Sequence, residues 1–282
     1  MLKVIDVAIV TLFNPKNDVF DNIKSYLPYV KELLIVDNSQ IPVDLKLLYE
    51  ESTKIILLSS SVNLGISKSL NLAIEYSKNK GYQWLLTMDQ DSSFNPLEIE
   101  KFLIAFESIS KDNLAIFSPL HNQKFLKKDV NFNKSKEYVM TSGNIINIEK
   151  SLTIGGFDEK LFIDEVDHDY CLSLKVKGYT IIQNYNTYLN HSLGEKHLLN
   201  KNGKYINLYS SSRVYYMLRN YLYIKSKHEK RPHDFFVKRD KYLLKFLIKQ
   251  LIHSKNRVKY IKMLFLAIKD YRNSSMGYRI AL

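Results

Sequence analysis

The sequence predicts an α/β fold in which a largely parallel sheet is covered by helices and followed by a helical C-terminal extension. Three observations carry that reading. Short Val- and Ile-rich runs alternate with helical stretches through residues 4–91, and each run stops at residues that favour turns. Beyond about residue 200 the strand signals fade, and aromatic and aliphatic residues mix with Lys and Arg.

Val4 to Leu12 reads as a buried strand that ends at Asn14-Pro15. Phe20, Ile23 and Leu27, spaced three and four apart, predict a helix from about Asp18 to Leu27 that stops near Pro28. Leu33-Leu34-Ile35-Val36 is a second strand closed by Asp37-Asn38-Ser39, and Lys54 to Leu58 is a third, followed by Asn63-Leu64-Gly65. Leu70, Ala73, Ile74 and Ser77 share one face of a helix from about Ser67 to Lys78, which Gly81 ends. Trp84 to Met88 is a fourth strand, released at Asp89-Gln90-Asp91. Ligands of such sheets collect at the carboxyl ends of the strands, and Asp37, Asn63 and Asp89 fall at three of those exits. Further on, a helix runs through Leu172, Leu174 and Val176. Later helices are expected over Tyr205 to Lys225, Asp234 to His253 and Arg257 to Tyr271, with a break at Arg231-Pro232.

A chain of 282 residues can bury an ample core, and 45% hydrophobic with 25% charged residues excludes a disordered, collagen-like or disulfide-framed protein. The lone cysteine, Cys171, has no internal partner, and no secretory-type leader is recognisable, so a reducing, cytoplasmic setting is expected. The longest late apolar run, Met263 to Ile268, falls far short of the roughly 20 residues needed to cross a bilayer. Charge is divided unevenly: residues 1–200 carry 21 Lys and Arg against 25 Asp and Glu, whereas residues 201–282 carry 20 against 4. The acidic front argues against nucleic acid as a partner, although a basic, Tyr-rich nucleic-acid-binding protein remains the alternative of another class.

Asp89-Gln90-Asp91 sets two carboxylates two residues apart at the open end of a sheet, where they can share one hard cation or hold a cation and a hydroxyl pair. The same spacing occurs in plain solvated turns. Bare carboxylates would repel a diphosphate, so a phosphate ligand at that place calls for Mg²⁺ or Mn²⁺ between them. A second cluster, Asp164-Glu165-Val166-Asp167-His168-Asp169, opens the helix that follows it. The helix dipole favours negative charge there, and capping alone accounts for one or two of its four acids.

The series Thr11-Leu12-Phe13-Asn14-Pro15, Val36-Asp37-Asn38-Ser39, Asn63-Leu64-Gly65 with Asn71, and Asp89-Gln90-Asp91 resembles the nucleotide-binding half of family 2 glycosyltransferases. It is nearest to their bacterial rhamnosyltransferase branch and extends over about residues 4–225. The resemblance implies a GT-A fold, that is, a Rossmann-like mixed sheet with helices on both faces. It also implies a catalytic domain over residues 1–225 and a basic amphipathic helical extension over 226–282. The implied activity is inverting, metal-dependent transfer of a sugar from a nucleotide-sugar donor to a polysaccharide or lipid-linked acceptor in bacterial surface polysaccharide synthesis, of capsule or O-antigen type. The donor is dTDP-rhamnose first, with a UDP-galactose or UDP-glucose type as the alternative.

On the same resemblance Thr11, Phe13, Asn14, Asp37, Asn63, Gly65, Lys68 and Asp89 hold the donor nucleotide, Asp37 at the nucleobase and Asp89 at the ribose. Asp91 and His191, with Asp89 as a further ligand, hold Mg²⁺ or Mn²⁺, and Asp167 is the general base. Ser142, Gly143, Asp164, Asp169 and Arg213 fall on the sugar or acceptor side. His191 lies in an His-x-x-Gly context ending at Gly194. Arg213, with Tyr216, Arg219 and Asn220, follows the family's Arg-x-x-Tyr…Arg-Asn helix, whose arginines can meet diphosphate or lipid phosphate. Gly155-Gly156-Phe157-Asp158 resembles its structural turn, and Ser173 stands where many relatives have Arg. Taken as residues alone, Asp37 is equally a turn cap, Gly143 a strand-edge bulge, His191 a packed histidine and Arg213 a solvated cation.

In the tail, Phe235-Phe236-Val237, Leu243-Leu244, Phe246-Leu247-Ile248 and Leu251-Ile252 alternate with Lys238, Arg239, Lys241, Lys245 and Lys249. Such a helix can lie in a membrane interface at the inner face of the cell membrane, cover the catalytic domain or form a homodimer contact. Other nucleotide enzymes fit poorly. The first loop, Phe13-Asn14-Pro15-Lys16-Asn17, lacks the glycines of a nucleotidyltransferase, and neither G-x-G-x-x-G nor G-x-x-x-x-G-K-S/T is present.

Overall fold

The computed structural model describes residues 4–16, 18–121, 133–191, 196–198, 205–229 and 233–279. β1 (Ile5–Leu12) is apolar at most positions, and Val7, Ala8, Ile9 and Val10 have no exposed surface, as befits a strand covered on both faces. β2 (Val30–Asp37), β3 (Ile55–Ser59) and β4 (Trp84–Asp89) join it in parallel, separated by α1 (Val19–Lys24), α2 (Lys46–Glu51) and α3 (Gly65–Asn79). The first helix is shorter than its apolar spacing predicts, because Pro28 converts its end into a 3-10 turn over Leu27–Tyr29.

The chain continues through β5 (Ser92–Ser93), α4 (Pro96–Ser108), β6 (Leu114–Leu120), β7 (Asn133–Ser135), β8 (Asn144–Asn147), α5 (Ile148–Thr153), α6 (Val166–Val176), β9 (Thr180–Tyr188) and β10 (Asn190–His191). Among the described residues the main sheet runs β3-β2-β1-β4-β8-β6-β9-β7. β8 is antiparallel to both β4 and β6, so the sheet is parallel on one side and mixed beyond β4. Gly143 lets β8 start beside β4: its N–H donates to the Thr87 carbonyl at 2.7 Å. A Cβ there would meet Pro119 Cγ at 2.9 Å, and its φ of +79° suits glycine. Beneath the sheet Trp84 meets Phe106 edge to face at 4.9 Å, and Phe102 stacks on Phe117 at 5.0 Å.

The chain divides into two compact units, residues 1–159 with 166–192, and residues 160–165 with 193–282. The first holds the sheet. The second contains β11 (Lys196–Leu198), β12 (Tyr205–Asn207), α7 (Ser211–Lys227), α8 (His233–His253) and α9 (Arg257–Arg272). The helix expected from Tyr205 therefore begins later. Tyr205–Asn207 pairs antiparallel with Lys196–Leu198, and Ser210 then caps α7 by accepting the Arg213 N–H at 3.2 Å. α7 and α9 pack through Tyr215, Tyr216 and Ala267. The expected break at Arg231-Pro232 lies outside the described residues. Among those described, no helix is long and apolar enough to cross a membrane.

Candidate active site

Strand register brings the first loops together. Thr11 lies beside Asp89 on β4, and Leu12 beside Asp37 on β2. Gln90 ties the acidic exit to the first loop: its Oε1 accepts the Phe13 N–H at 2.7 Å, its Nε2 donates to the Phe13 carbonyl at 3.2 Å, and Asn22 Nδ2 donates to its carbonyl at 3.0 Å. His191 reaches the same place from far along the chain, because β10 pairs antiparallel with β5 and sets His191 opposite Ser92. Its Nδ1 is 2.7 Å from Ser92 Oγ and 3.3 Å from Asp91 Oδ1.

Asp89, Asp91 and His191 each offer one ligand atom within 4.8 Å of the others. Burial pushes the His191 imidazole pKa down, but the Asp91 hydrogen bond and the charges of Asp89 and Asp91 outweigh it and hold it above its ordinary value. The acids thus already draw positive charge to this spot. Two carboxylates and an imidazole suit Mn²⁺, and suit Mg²⁺ with further oxygen ligands, so these residues fit a divalent cation.

A buried network lies behind the cluster. Ser142 Oγ accepts the Asp89 N–H at 3.0 Å and donates to Ser92 Oγ at 2.8 Å, and neither serine has exposed surface. The Ser142 carbonyl accepts from His121 Nε2 at 2.6 Å, and the His121 ring stands edge-on to His191 at 5.7 Å. Burial pushes the His121 pKa down to about 4, against the pull of the Ser142 hydrogen bond and the Asp167 charge. Burial thus favours the uncharged imidazole, whose Nε2 donates to the Ser142 carbonyl. Ser142→Ala is expected to lower Mn²⁺ affinity about tenfold and, by removing the buried hydroxyl that accepts the Asp89 N–H, stability by about 1–3 kcal/mol. A Mn²⁺ titration alongside a melt checks both; a lower Tm with unchanged affinity would confine this serine to folding.

Asp167 sits in the first turn of α6 with its side chain 24% exposed, and its Oδ1 accepts the His168 N–H at 2.8 Å. With Thr87, Thr141, Asn144, Tyr170 and Cys171 it lines a small cavity against β4 and β8. Asp169 is only 2% exposed. In the second unit Asp164 takes the Arg213 guanidinium at 3.2 Å, and Glu165 pairs with Arg239. Phe162, Asp164 and Glu165 hold φ values of +40°, +62° and +61°, a sparsely populated backbone for residues other than glycine. Asn220 Nδ2 fixes that stretch by donating to the carbonyls of Leu161, Ile163 and Asp164 at 2.9, 2.7 and 3.1 Å. Arg219 is buried and bound to the Tyr215 hydroxyl and the Ser275 and Gly277 carbonyls. It holds the chain that follows α9 and is not open to a phosphate.

Asp37 is buried, and its two oxygens accept the Ser39 and Val43 N–H groups at 3.0 and 2.7 Å, so it holds the turn after β2. It also borders a cavity of about 480 Å³ with Val43, Tyr49, Leu57 and Ser60. The Asn14 N–H donates to Ser39 Oγ at 2.7 Å, and Asn63 Oδ1 accepts the N–H of Gly65, which opens α3. Lys68 is exposed on the first turn of that helix, and Phe13 is exposed in the first loop. Gly156 abuts Asn71, whose Oδ1 would lie 2.5 Å from an added Cβ and accepts the Phe157 N–H at 2.8 Å. Gly194 lies outside the described residues. Ser92 and His121 escape the sequence reading: neither has a periodic or motif signal, and their hydrogen-bond partners lie 50 and 99 residues away for Ser92 and 21 for His121.

The glycosyl transferase family 2 model matches residues 8–170. The dTDP-rhamnosyl transferase RfbF of Shigella flexneri is 25% identical over 285 residues, covering 93% of this chain and 94% of that protein. Among solved structures, S. aureus TarS 1–349 in complex with UDP-GlcNAc superposes with a TM-score of 0.59 at 14% identity, over 95% of this chain and 80% of that one. GalNAc-T7 with UDP, GalNAc and Mn²⁺ superposes with a TM-score of 0.58 at 12% identity, over 79% of this chain, which spans about half (48%) of that neighbour. Both likenesses are of fold, and that fold is GT-A. With the mixed sheet and the matched family model over more than half its length, this chain belongs to glycosyl transferase family 2 and is a glycosyltransferase similar to rhamnosyltransferases.

Proposed function

We propose that the chain is an inverting, metal-dependent rhamnosyltransferase that takes dTDP-rhamnose and extends a lipid-linked acceptor in bacterial surface polysaccharide synthesis. The observation that carries this reading is the Asp89, Asp91 and His191 cluster at the mouth of the parallel strands, with Asp167 near enough for its charge to act on the His121 ring beside it. The likeness to the Shigella flexneri dTDP-rhamnosyl transferase supports rhamnose as the sugar. Residues 1–225 would carry the reaction, with 226–282 as the basic extension.

Asp91, His191 and Asp89 would hold Mn²⁺ or Mg²⁺, which when bound neutralises the charge that gathers on a leaving diphosphate. The nucleotide would lie along the strand exits with Thr11, Phe13, Asn14, Asp37, Asn63, Gly65 and Lys68 around it; the cavity of about 480 Å³ beside Asp37 has room for a base. Gly143, at the turn beside Asp89, would serve the sugar, and Asp164 and Arg213 the acceptor, with buried Ser142 and Asp169 acting from behind. Asp167 accepts the proton of the acceptor hydroxyl as its oxygen attacks the anomeric carbon. The bond from that carbon to the diphosphate oxygen breaks, and the electron pair leaves with the nucleoside diphosphate. Attack opposite the leaving group inverts the anomeric centre without a covalent enzyme intermediate.

A thermal-shift screen with Mn²⁺ tests the class and the donor together. dTDP-rhamnose is expected to raise Tm, by an amount that grows with RT ln(1 + [L]/Kd). Stabilisation by a UDP-hexose instead would replace the donor and keep the class. Indifference to every sugar nucleotide would overturn the reading.

A further inference from the structure

We propose that α8 and α9 form a lipid-contacting surface that seats the chain on an anionic bilayer without crossing it. The contact does not depend on which donor is used, and its test involves no transfer, so it stands or falls apart from the reaction.

Packing within the second unit uses one side of each helix and leaves the other. Leu243 and Gln250 of α8, and Tyr260, Ala267 and Asp270 of α9, are buried. On the outer arc of α8, Leu244, Ile248 and Ile252 follow one another at four-residue steps, and each is at least half exposed. Lys241, Lys245 and Lys249 make the neighbouring ridge at the same step and are exposed too. On α9, Val258, Ile261 and Phe265 share one face, Phe265 being 71% exposed, with exposed Arg257, Lys262 and Lys269 to either side. Single exposed apolar residues are ordinary, but two rows of them bordered by cations mark a contact surface.

The described acids of these helices, Asp240 and Asp270, are engaged away from that ridge of lysines. Asp240 is held by the Tyr221 hydroxyl and Lys225, and Asp270 by the Tyr215 hydroxyl and Arg279. Among the described residues, no carboxylate pairs with Lys241, Lys245, Lys249 or Lys262. Aliphatic rows beside unmatched lysines suit the boundary between anionic headgroups and acyl chains, where apolar side chains sink and Lys stems carry their charges outward. A second copy would press two like-charged faces together. Nucleic acid would engage the cations but leave Leu244, Ile248 and Ile252 without a partner.

The test is flotation of the full chain with phosphatidylcholine vesicles, with and without phosphatidylglycerol. Recovery is expected with the anionic vesicles at least about tenfold above the neutral ones, falling with added salt. Lys241→Glu/Lys245→Glu/Lys249→Glu should abolish it, and Ile248→Ser/Phe265→Ser should weaken it at unchanged net charge, with wild-type Tm in both. A folded wild-type chain that ignores anionic vesicles overturns the proposal. So does a dimer in light scattering that Ile248→Ser/Phe265→Ser dissociates without altering vesicle recovery, or binding to single-stranded DNA in the absence of vesicle recovery.

Discussion

Asp91→Ala is expected to erase Mn²⁺-dependent stabilisation by the donor and to cut transfer by about 10²–10³-fold, the usual consequence of removing one group that faces the developing charge. The metal-free protein should melt as the wild type does. Asp91 is 44% exposed, so its loss opens no cavity, and His191 Nδ1, which it contacts at 3.3 Å, keeps Ser92 Oγ at 2.7 Å. His191→Ala makes a useful contrast. That side chain is only 10% exposed and shares a 2.7 Å hydrogen bond with buried Ser92, so its removal should lower Tm as well as Mn²⁺ affinity. Calorimetric Mn²⁺ titration of the two variants, read beside their melting curves, separates ligation from support. An Asp91→Ala enzyme that keeps both its Mn²⁺ response and its turnover would remove this cluster from the reaction.

The first acidic exit is legible in sequence because it rests on local rules. A Val- and Ile-rich run, buried on both faces, must end where polar residues begin, so Asp37 and Asp89 mark strand ends almost residue by residue. The order of those strands is less legible, since β8 turns back against β4 through pairings about 60 residues apart, which no local pattern encodes. The start of α7 shows how propensity misleads. Tyr205 to Lys225 has helical spacing throughout, yet Tyr205–Asn207 finds a strand partner, and the Ser210 cap, a visible signal, sets the true beginning. The shell behind the metal-type cluster is hardest to read. A serine and a histidine with no motif around them acquire meaning only when β5 and β10 lie side by side, and Arg219, which by sequence could equally meet a phosphate or face solvent, is buried under the chain that follows α9.

Asp167→Asn is expected to keep donor and Mn²⁺ binding and to lose about 10²–10⁴-fold in kcat, the range a positioned general base supplies. The substitution suits the question because Asn Oδ1 can still accept the His168 N–H that Asp167 accepts at 2.8 Å, so α6 should start as before. Its rivals in the acid cluster are more enclosed. Asp169 is 2% exposed, and Asp164 is 10% exposed at its side chain and bound to Arg213, whereas the Asp167 side chain is 24% exposed and can meet an incoming hydroxyl. An enzyme that relies on this carboxylate should gain rate as pH rises through its ionisation, and the variant should lose that limb, since an amide takes up no proton in the range. Thermal shift with donor and Mn²⁺ confirms that the site still loads; initial rates across pH then read the proton step alone. Turnover within a few-fold of wild type, with the rising limb intact, would hand the base to Asp164 or Asp169, which the corresponding Asn variants distinguish.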